Sequence, residues 1–322
     1  MHRVGAAALG RPARIAWTQG CAGRAARAAG ARLLHGVHYE LPLRAPGLVQ
    51  VVTVHDLTLL TRPEWHEPTK VRYFGWALRR AVARADRVLC VSATTARDLS
   101  ATLGVAPDRI DVTPLATDLR PAGEAAVAAL RRRLGLDGPY LLGLGTLEPR
   151  KDLPTLVRAF GRLAGELPHR LVLAGLDGWG TGPIAAAIAA SGAADRITLA
   201  GYVPEADKAA LFTGAELFCY PSRYEGFGLP VLEAMACGTP VVTTSGGSLP
   251  EVAGGAARLV EPGDLDGLVA AVRGLLGDAA ARAAAVERGR AVAAARSWQA
   301  CADRTAAAYR RAAERSPAAR PS

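Results

Sequence analysis

The sequence predicts an α/β protein with two Rossmann-like domains, and two observations support this prediction. Short runs of continuous apolar, often β-branched residues alternate with longer segments that have helical periodicity. Strands that are apolar throughout, and not only at every second position, belong to parallel sheets that helices cover on both faces. The alternation also occurs in two separate series within 322 residues, a length at which two domains are expected.

The first series predicts strands at 48–54, 86–92 and 108–114. Between the first two strands, the segment "EPTKVRYFGWALRRAVARA" (67–85) carries apolar residues at helical spacing. We assign these elements to an N-terminal domain, residues 1–116.

The second series is longer and predicts five strands, at 139–147, 169–175, 195–203, 215–222 and 239–244. A helix is expected near 230–237, and the whole series forms a second domain at 139–296. The segment 117–138 is rich in Pro, Gly and charge, which favours a linker. A helix is predicted at 297–316 and an unstructured tail at 317–322.

The net charge of +10 is concentrated in the first domain, where residues 1–116 hold 16 Arg and Lys against 8 Asp and Glu. Such an excess attracts phosphate groups, nucleic acid or an anionic membrane surface, although an arginine-rich solvated face without a partner is the alternative. Only the net charge supports nucleic acid, so we do not predict a nucleic-acid partner.

Five cysteines are scattered along the chain without a C-x-x-C motif or a Cys/His cluster. Neither a structural zinc site nor a disulfide framework is predicted, and the cysteines favour a reduced, cytoplasmic compartment. No apolar run reaches the length of a membrane span. Peripheral contact with the inner face of the membrane remains open.

The segment "RYEGFGLPVLEAMACGTPVVTT" (223–244) places two acids, Glu225 and Glu233, on either side of a glycine-rich bend. Gly226 and Gly228 allow the backbone to approach a ligand, and the helix that starts here offers unpaired amides to an anion. The bend follows a predicted parallel strand, at the end where ligands bind in such sheets. Backbone amides donate hydrogen bonds to phosphates, and carboxylates accept them from hydroxyl groups. A nucleotide sugar carries both phosphates and hydroxyl groups.

A second strand–loop–helix junction lies in "GTLEPRKDLPTL" (145–156) and carries Arg150 and Lys151. At the end of the first strand of the second domain, this pair could neutralise a diphosphate. An isolated Arg-Lys pair is usually a solvated surface pair. The glycine bend at a neighbouring strand end favours the binding interpretation.

These segments resemble glycosyltransferase family 4. The resemblance rests on "GLGTLEPRKDLPTLVRAF", "ITLAGYVPEADKAALF", "PSRYEGFGLPVLEAMACGTPVVTT" and "SGGSLPEVAGGAARLVEPGD" in the second domain, and on "VVTVHDLTLLTRPEWH" and "RVLCVSATTARDLSATLGV" in the first. The resemblance spans residues 14–312. The first-domain segments are similar to those of the mannosyltransferase-like group. The family's members are retaining enzymes of the GT-B fold, in which two Rossmann-like domains face a cleft and the last helix crosses back to the first domain.

The resemblance implies a catalytic set of four residues, Glu225, Arg150, Lys151 and His55. Arg150 and Lys151 match residues that bind the donor diphosphate and stabilise the leaving group, and Glu225 matches the carboxylate at the donor sugar. His55 matches a first-domain histidine near the acceptor and the transferred sugar. The alternative for His55 is a histidine at a strand end that caps a turn with Asp56.

The resemblance also implies a donor-binding set: Gly145, Tyr202, Val203, Gly226, Phe227, Gly228, Leu229 and Glu233. Tyr202 and Val203 fall where the base is held, Glu233 matches the ribose ligand, and the amides of 226–229 match the phosphate and sugar contacts. No metal site or cofactor is predicted, because the segments that carry the resemblance contain no D-x-D motif and the donor is itself the substrate. GDP-mannose is favoured, and a UDP- or ADP-sugar remains open.

The implied function is transfer of a hexose to a glycan or lipid-linked acceptor, by attack on the same face of the sugar. Relative to the family, the first domain is expected to be incomplete at its amino end, because "RVGAAALG" is a poor strand without a Gly-Gly loop. A nucleotide-sugar-binding but catalytically silent paralogue or partner subunit is therefore the alternative. An epimerase of the same fold is disfavoured by the two spaced glutamates.

Overall fold

The computed structural model of the protein describes residues 10–315, with the side chains of Arg11 and Arg315 excepted. The segment "RVGAAALG", on which the expectation of an incomplete amino end rests, falls almost wholly outside the described residues, and the tail 317–322 falls entirely outside them. The strands in the described range are β1 (Leu33–Gly36), β2 (Val49–Val54), β3 (Arg87–Cys90), β4 (Ile110–Val112), β5 (Tyr140–Leu144), β6 (Arg170–Ala174), β7 (Ile197–Gly201), β8 (Leu217–Tyr220), β9 (Val241–Thr244) and β10 (Arg258–Val260). The helices are α1 (Arg11–Gly20), α2 (Ala22–Ala28), α3 (Thr58–Thr61), α4 (Pro68–Arg84), α5 (Ala93–Leu103), α6 (Glu124–Leu134), α7 (Leu153–Leu163), α8 (Gly182–Ala190), α9 (Glu205–Thr213), α10 (Leu229–Ala236), α11 (Leu249–Ala253), α12 (Leu265–Gly277), α13 (Ala279–Ala294) and α14 (Trp298–Arg315).

The chain divides into two compact units, each with its own parallel sheet. The first unit runs to Pro114 and includes the chain from Gln299 onward, and the second unit is Leu115–Trp298. The prediction of a linker at 117–138 was wrong, because this segment contains α6 and belongs to the second unit. Its alanines and arginines favour a helix, and Leu130 on that helix is buried.

The first sheet has the strand order β1-β2-β3-β4, with all strands parallel. Every residue of β2 is buried, because helices cover both faces of the sheet. On one face Val52 and Val54 pack in a cluster with residues of α4 and α5. On the other face Val49 and Val51 pack against α14. The continuous apolar pattern of the strand follows from this two-sided burial.

Helix α14 is held on the first sheet by small residues and two polar contacts. Ala308 and Ala312 are fully buried against the strands. The hydroxyl of Tyr309 lies 2.7 Å from Nδ1 of His35 on β1, and Arg311 donates to Asp111 on β4 at 2.5 Å. The predicted return of the last helix to the first sheet therefore has a specific packing basis.

The second sheet has the order β10-β9-β8-β5-β6-β7, again all parallel. The direction of strand progression reverses between β5 and β8, which are direct neighbours. At such a switch point the flanking loops diverge and leave a crevice at the carboxyl ends of the strands. Helices α7, α8 and α12 cover one face of the sheet in a single apolar cluster.

All five cysteines are free, and Cys90, Cys219 and Cys237 are buried as small core residues. Among the described residues, no helix combines the length and the apolar character needed to cross a bilayer.

Candidate functional site

Two loops meet where β5 and β8 end side by side. The loop after β5 contains the short helical turn Pro149–Lys151, and Asp152 is the residue directly before α7. The loop after β8 leads to α10 at Leu229. The backbone amide of Arg223 donates to the carbonyl oxygen of Arg150 at 2.9 Å, which joins the two loops directly. The basic pair and the glycine bend that the sequence singled out are therefore neighbours.

The carboxylate of Glu225 is bound by four donors at this junction. Lys151 Nζ lies 2.6 Å from Oε1, and Arg150 Nη1 lies 2.7 Å from Oε2. The hydroxyl groups of Tyr220 and Ser222 donate to Oε1 at 2.9 and 2.5 Å. Glu225 is only 7% exposed. Both carboxylate oxygens are thus fixed by cations from the neighbouring loop.

Glu225 is ionised in this environment. Burial would raise its pKa, but the charges of Lys151 and Arg150, with hydrogen bonds from Lys151 and Ser222, outweigh burial and hold the pKa at about 2. Burial, assisted by the nearby Arg150, lowers the pKa of Lys151 below its ordinary value, and the Glu225 carboxylate opposes this shift. The cluster is therefore a set of mutually dependent charges.

Glu148 completes the cluster, and sequence reasoning missed it. It is 8% exposed and accepts a hydrogen bond from Arg150 Nη2 at 2.8 Å. With Glu225 it balances the two cations, so the four side chains carry no net charge. An acid two residues before an arginine at a strand end could have indicated it. No sequence pattern indicated Tyr220 or Ser222.

Glu233 lies on α10 and is paired with a different cation. It is 4% exposed, and Lys208 Nζ on α9 donates to its Oε1 at 3.2 Å. Lys208 is shared with Glu205, at 2.9 Å. Burial raises the pKa of Glu233, and Lys208 offsets this only in part. The two glutamates of the motif therefore have separate ionic partners, and sequence reasoning also missed Lys208.

Backbone geometry explains two glycines at the site. Gly228 has φ = +91°, and a Cβ added there would lie 2.6 Å from Leu249 Cδ2. Gly145 has φ = +150°, and its Cβ would touch Lys151 Cε at 3.4 Å. Ser248 donates to the carbonyl oxygen of Glu225 from both its amide and its hydroxyl group, at 2.9 and 3.0 Å. A larger residue at Gly228 would clash with Leu249, and at either position it would have to adopt a positive φ that favours glycine.

The other residues predicted to bind the donor lie around this junction or further along the sheet. Gly226 and Phe227 are buried in the bend, and Leu229 is the first residue of α10. Tyr202 and Val203 follow β7. They therefore lie at the carboxyl ends of the strands, as the junction does, but two strands away from β5. Tyr202 is 63% exposed, so its ring is available to a ligand.

His55 lies in the first unit, directly after β2. Its Nε2 lies 2.9 Å from the carbonyl oxygen of Val37, so this nitrogen donates the hydrogen bond. Asp56 forms the turn without the His55 side chain, because Oδ1 accepts from the amide and the hydroxyl group of Thr58, at 2.9 and 2.6 Å. Asp56 therefore caps this turn by itself, and the His55 side chain bonds the Val37 carbonyl instead.

A cavity of about 600 Å³ opens beside His55 in the first unit. It lies at the carboxyl ends of β1 and β2, against α1 and the start of α4. Its polar lining carries both signs of charge and two imidazoles, from Arg14, His38, Glu40, Asp56, His66 and Lys70. Such a lining offers donors and acceptors to a ligand rich in hydroxyl groups.

Two family models match the chain, "Glycosyltransferase Family 4" over residues 1–120 and "Glycosyl transferases group 1" over residues 129–292. The chain belongs to glycosyltransferase family 4. The O-antigen chain mannosyltransferase B of Escherichia coli is 36% identical over 284 residues, covering 86% of this glycosyltransferase and 74% of the relative. The MMP alpha-(1->4)-mannosyltransferase of Mycolicibacterium hassiacum is 32% identical over 287 residues, covering 84% and 67%.

Solved structures place the glycosyltransferase in the GT-B fold. Sucrose-phosphate synthase from Thermosynechococcus elongatus superposes with a TM-score of 0.76 at 24% identity, covering 91% of this chain and 76% of that one. WaaG, a glycosyltransferase involved in lipopolysaccharide biosynthesis, gives 0.73 at 19% identity, covering 96% and 84%. Anabaena HepE, in complex with UDP-glucose, gives 0.71 at 22% identity, covering 82% and 72%.

Proposed function

We propose that this glycosyltransferase transfers a hexose, preferentially mannose, from a nucleotide-diphosphate sugar to a glycan or lipid-linked acceptor. Transfer retains the anomeric configuration and needs no metal ion or cofactor. The observation that carries the proposal is the buried cluster of Glu225, Arg150 and Lys151 at the adjoining ends of β5 and β8.

The cluster supplies the electrostatics of the reaction. The diphosphate oxygens compete with Glu148 and Glu225 for the guanidinium of Arg150 and the ammonium of Lys151. As the bond to the sugar breaks, negative charge grows on the leaving diphosphate, and these fixed cations stabilise it. The amides at the start of α10 add donors to the same oxygens. Glu225, released from one cation, is left to accept hydroxyl groups of the transferred sugar.

We assign the remaining donor contacts to one acidic and one aromatic side chain. Glu233, buried on α10 beside Lys208, accepts hydroxyl groups of the nucleotide ribose. Tyr202, exposed after β7, contacts the base. The names of the two mannosyltransferase relatives favour mannose, and hence GDP-mannose, as the donor. HepE holds UDP-glucose, so a UDP-sugar is the second donor to test, and an ADP-sugar the third.

The acceptor-side proposal rests on the cavity beside His55. Its mixed charges and imidazoles offer hydrogen bonds to the saccharide that receives the hexose. We assign His55, which follows β2 and donates from Nε2 to the carbonyl oxygen of Val37, to the acceptor. We place the protein in the cytoplasm, at the inner face of the membrane if its acceptor is lipid-linked.

Calorimetric titration with GDP, UDP and ADP, and then with their sugar conjugates, tests the donor. Lys151→Met and Arg132→Met provide a matched pair, because Arg132 is exposed on α6. We expect one nucleotide to bind the wild type and the Arg132 variant, but not the Lys151 variant. Product NMR and a chelator then test retention and metal independence. Absence of nucleotide binding contradicts the proposal, and binding without turnover on any saccharide acceptor would favour the silent paralogue.

A further inference from the structure

Helix α4 presents a basic face that no acidic residue of the helix neutralises. The helix carries five cations, from Lys70 to Arg84, and no Asp or Glu. Its buried side packs Leu78, Ala81 and Val82 into the core of the first unit. The opposite side is exposed. Of the nearby acids, Glu67 pairs with Lys70 of the helix itself at 3.2 Å, and Asp86 accepts from the amide of Gln50 at 2.7 Å.

Two apolar side chains are exposed within this basic face. Trp76 is 46% exposed in the middle of α4, and Leu43 on the neighbouring loop is 40% exposed. Arg80 links them, because its guanidinium lies 5.9 Å from the centre of the Trp76 ring and its Nη2 donates to the carbonyl oxygen of Leu43 at 2.7 Å. The Arg80 side chain therefore joins the Leu43 loop to the Trp76 ring, and cations of α4 lie around these two apolar side chains.

Two shallow depressions lie along α4 and the Leu43 loop, and each is lined by arginine. One depression of about 410 Å³ lies between Arg72 and Trp76. The other, of about 580 Å³, lies between the Leu43 loop and Arg84, and its lining holds three arginines, Arg44, Arg80 and Arg84, against one carboxylate, Asp86. Guanidinium groups beside concave surfaces of this size match phosphate esters in geometry and charge.

We propose that this surface, the α4 face, docks on an anionic phospholipid bilayer. We define it as Leu43, Arg44, Arg72, Trp76, Arg79 and Arg84. Trp76 and Leu43 enter the interfacial layer, where an indole ring is favoured, while the arginines bind lipid phosphates. Nucleic acid fits this face less well, because single strands are held by several stacking rings and this face exposes one. The inference is independent of the proposed transferase activity.

Vesicle co-sedimentation of the full chain tests the proposal. We expect binding to vesicles that contain phosphatidylglycerol, none to pure phosphatidylcholine vesicles, and a steep loss of binding as salt rises. Each arginine near an anionic surface strengthens binding about fivefold, so Arg72→Ala with Arg79→Ala and Arg84→Ala should weaken it roughly a hundredfold. The matched control removes three exposed arginines elsewhere, Arg132, Arg288 and Arg310, and should retain most of the binding.

Trp76→Ala separates insertion from charge. It should weaken vesicle binding about tenfold even at high salt, with the circular dichroism spectrum and Tm close to those of the wild type. Equal binding by the α4-face variant and its control would overturn the proposal, as would equal binding to neutral vesicles. If fluorescent RNA binds in an α4-face-dependent manner while vesicles do not, the face serves nucleic acid and the proposal is wrong.

Discussion

Lys151 Nζ lies 2.6 Å from Glu225 Oε1, and the two side chains are only 11% and 9% exposed. This ion pair joins the loop after β5 to the loop after β8. Two such charges can be buried only as a pair, because removing either one leaves the other desolvated and without a counter-charge. The same pair therefore links folding stability, pH and ligand binding in this glycosyltransferase.

Protonation of Glu225 should destabilise the protein in acid. Its folded-state pKa of about 2 lies below its ordinary value of 4.5, so the stabilisation is complete above about pH 4.5 and is lost as the pH falls towards 2. Glu225→Gln should lower the free energy of unfolding by about 3 kcal/mol at neutral pH. Urea denaturation at several pH values should show this difference shrinking between about pH 5 and 3.

The control for this experiment is Glu287→Gln, because that side chain is 74% exposed and carries the same charge change. It should unfold like the wild type at every pH. A Glu225 difference that stays constant with pH would contradict the assignment of an ionised, cation-held carboxylate.

Arg150 should not be replaceable by lysine. One guanidinium bridges Glu148 and Glu225 at 2.8 and 2.7 Å and also donates to the carbonyl of Tyr224 at 2.9 Å, a planar arrangement that an ammonium cannot reproduce. We expect Arg150→Lys to lower kcat/KM for transfer about a hundredfold. Arg158→Lys, on the exposed side of α7, is the conservative control and should leave transfer unchanged. Comparable losses in both variants would contradict a specific role.

Glu233 should affect nucleotide binding but not diphosphate binding. If it accepts the ribose hydroxyl groups, Glu233→Gln should weaken the nucleoside diphosphate about 10- to 100-fold and leave inorganic diphosphate unchanged. A dideoxynucleoside diphosphate should bind the wild type as weakly as it binds the variant. Burial raises the pKa of this carboxyl, so wild-type nucleotide affinity should fall on acidification before an ordinary glutamate would titrate. An equal loss for both ligands would instead place Glu233 at the phosphates.

Gly228→Ala should destabilise the second unit and impair nucleotide binding. The new methyl group meets Leu249 Cδ2 at 2.6 Å and the residue keeps φ = +91°, so we expect a loss of about 1–3 kcal/mol. Gly274→Ala is the counterpart, because no atom lies within 4 Å of the added Cβ on α12. That variant should be unchanged or slightly more stable. Thermal unfolding of the two variants, followed by nucleotide titration, measures both effects.

Much of the fold was predictable because its strands are buried on both faces. Strands β2 and β3 are buried throughout and appear in the sequence as uninterrupted apolar runs. Strands β1 and β10 were not predicted, since they are edge strands with partly exposed residues and no such run. The linker prediction failed at α6, where Pro and Gly outside the helix outweighed the helix formers within it.

The loops of the site were predictable from the sequence, but the ion pairs between them were not. Glycines, prolines and charges at 145–156 and 223–244 mark strand–loop–helix junctions by local chemistry. That Arg150 and Lys151 bind Glu225 depends on β5 and β8 being adjacent, which is a property of the strand order. The uncharged donors Tyr220 and Ser222 gave no signal for the same reason, because their contribution appears only once both loops are folded.

The return of α14 to the first sheet also determines when that sheet can finish folding. Asp111 on β4 and its partner Arg311 are 200 positions apart. At about 5–20 residues per second, a ribosome needs roughly 10–40 s to make the intervening chain. Throughout this interval the faces of Val49, Val51 and Leu89 that Ala308 and Ala312 will cover have no packing partner from α14. The unit that is synthesised first therefore completes its packing last.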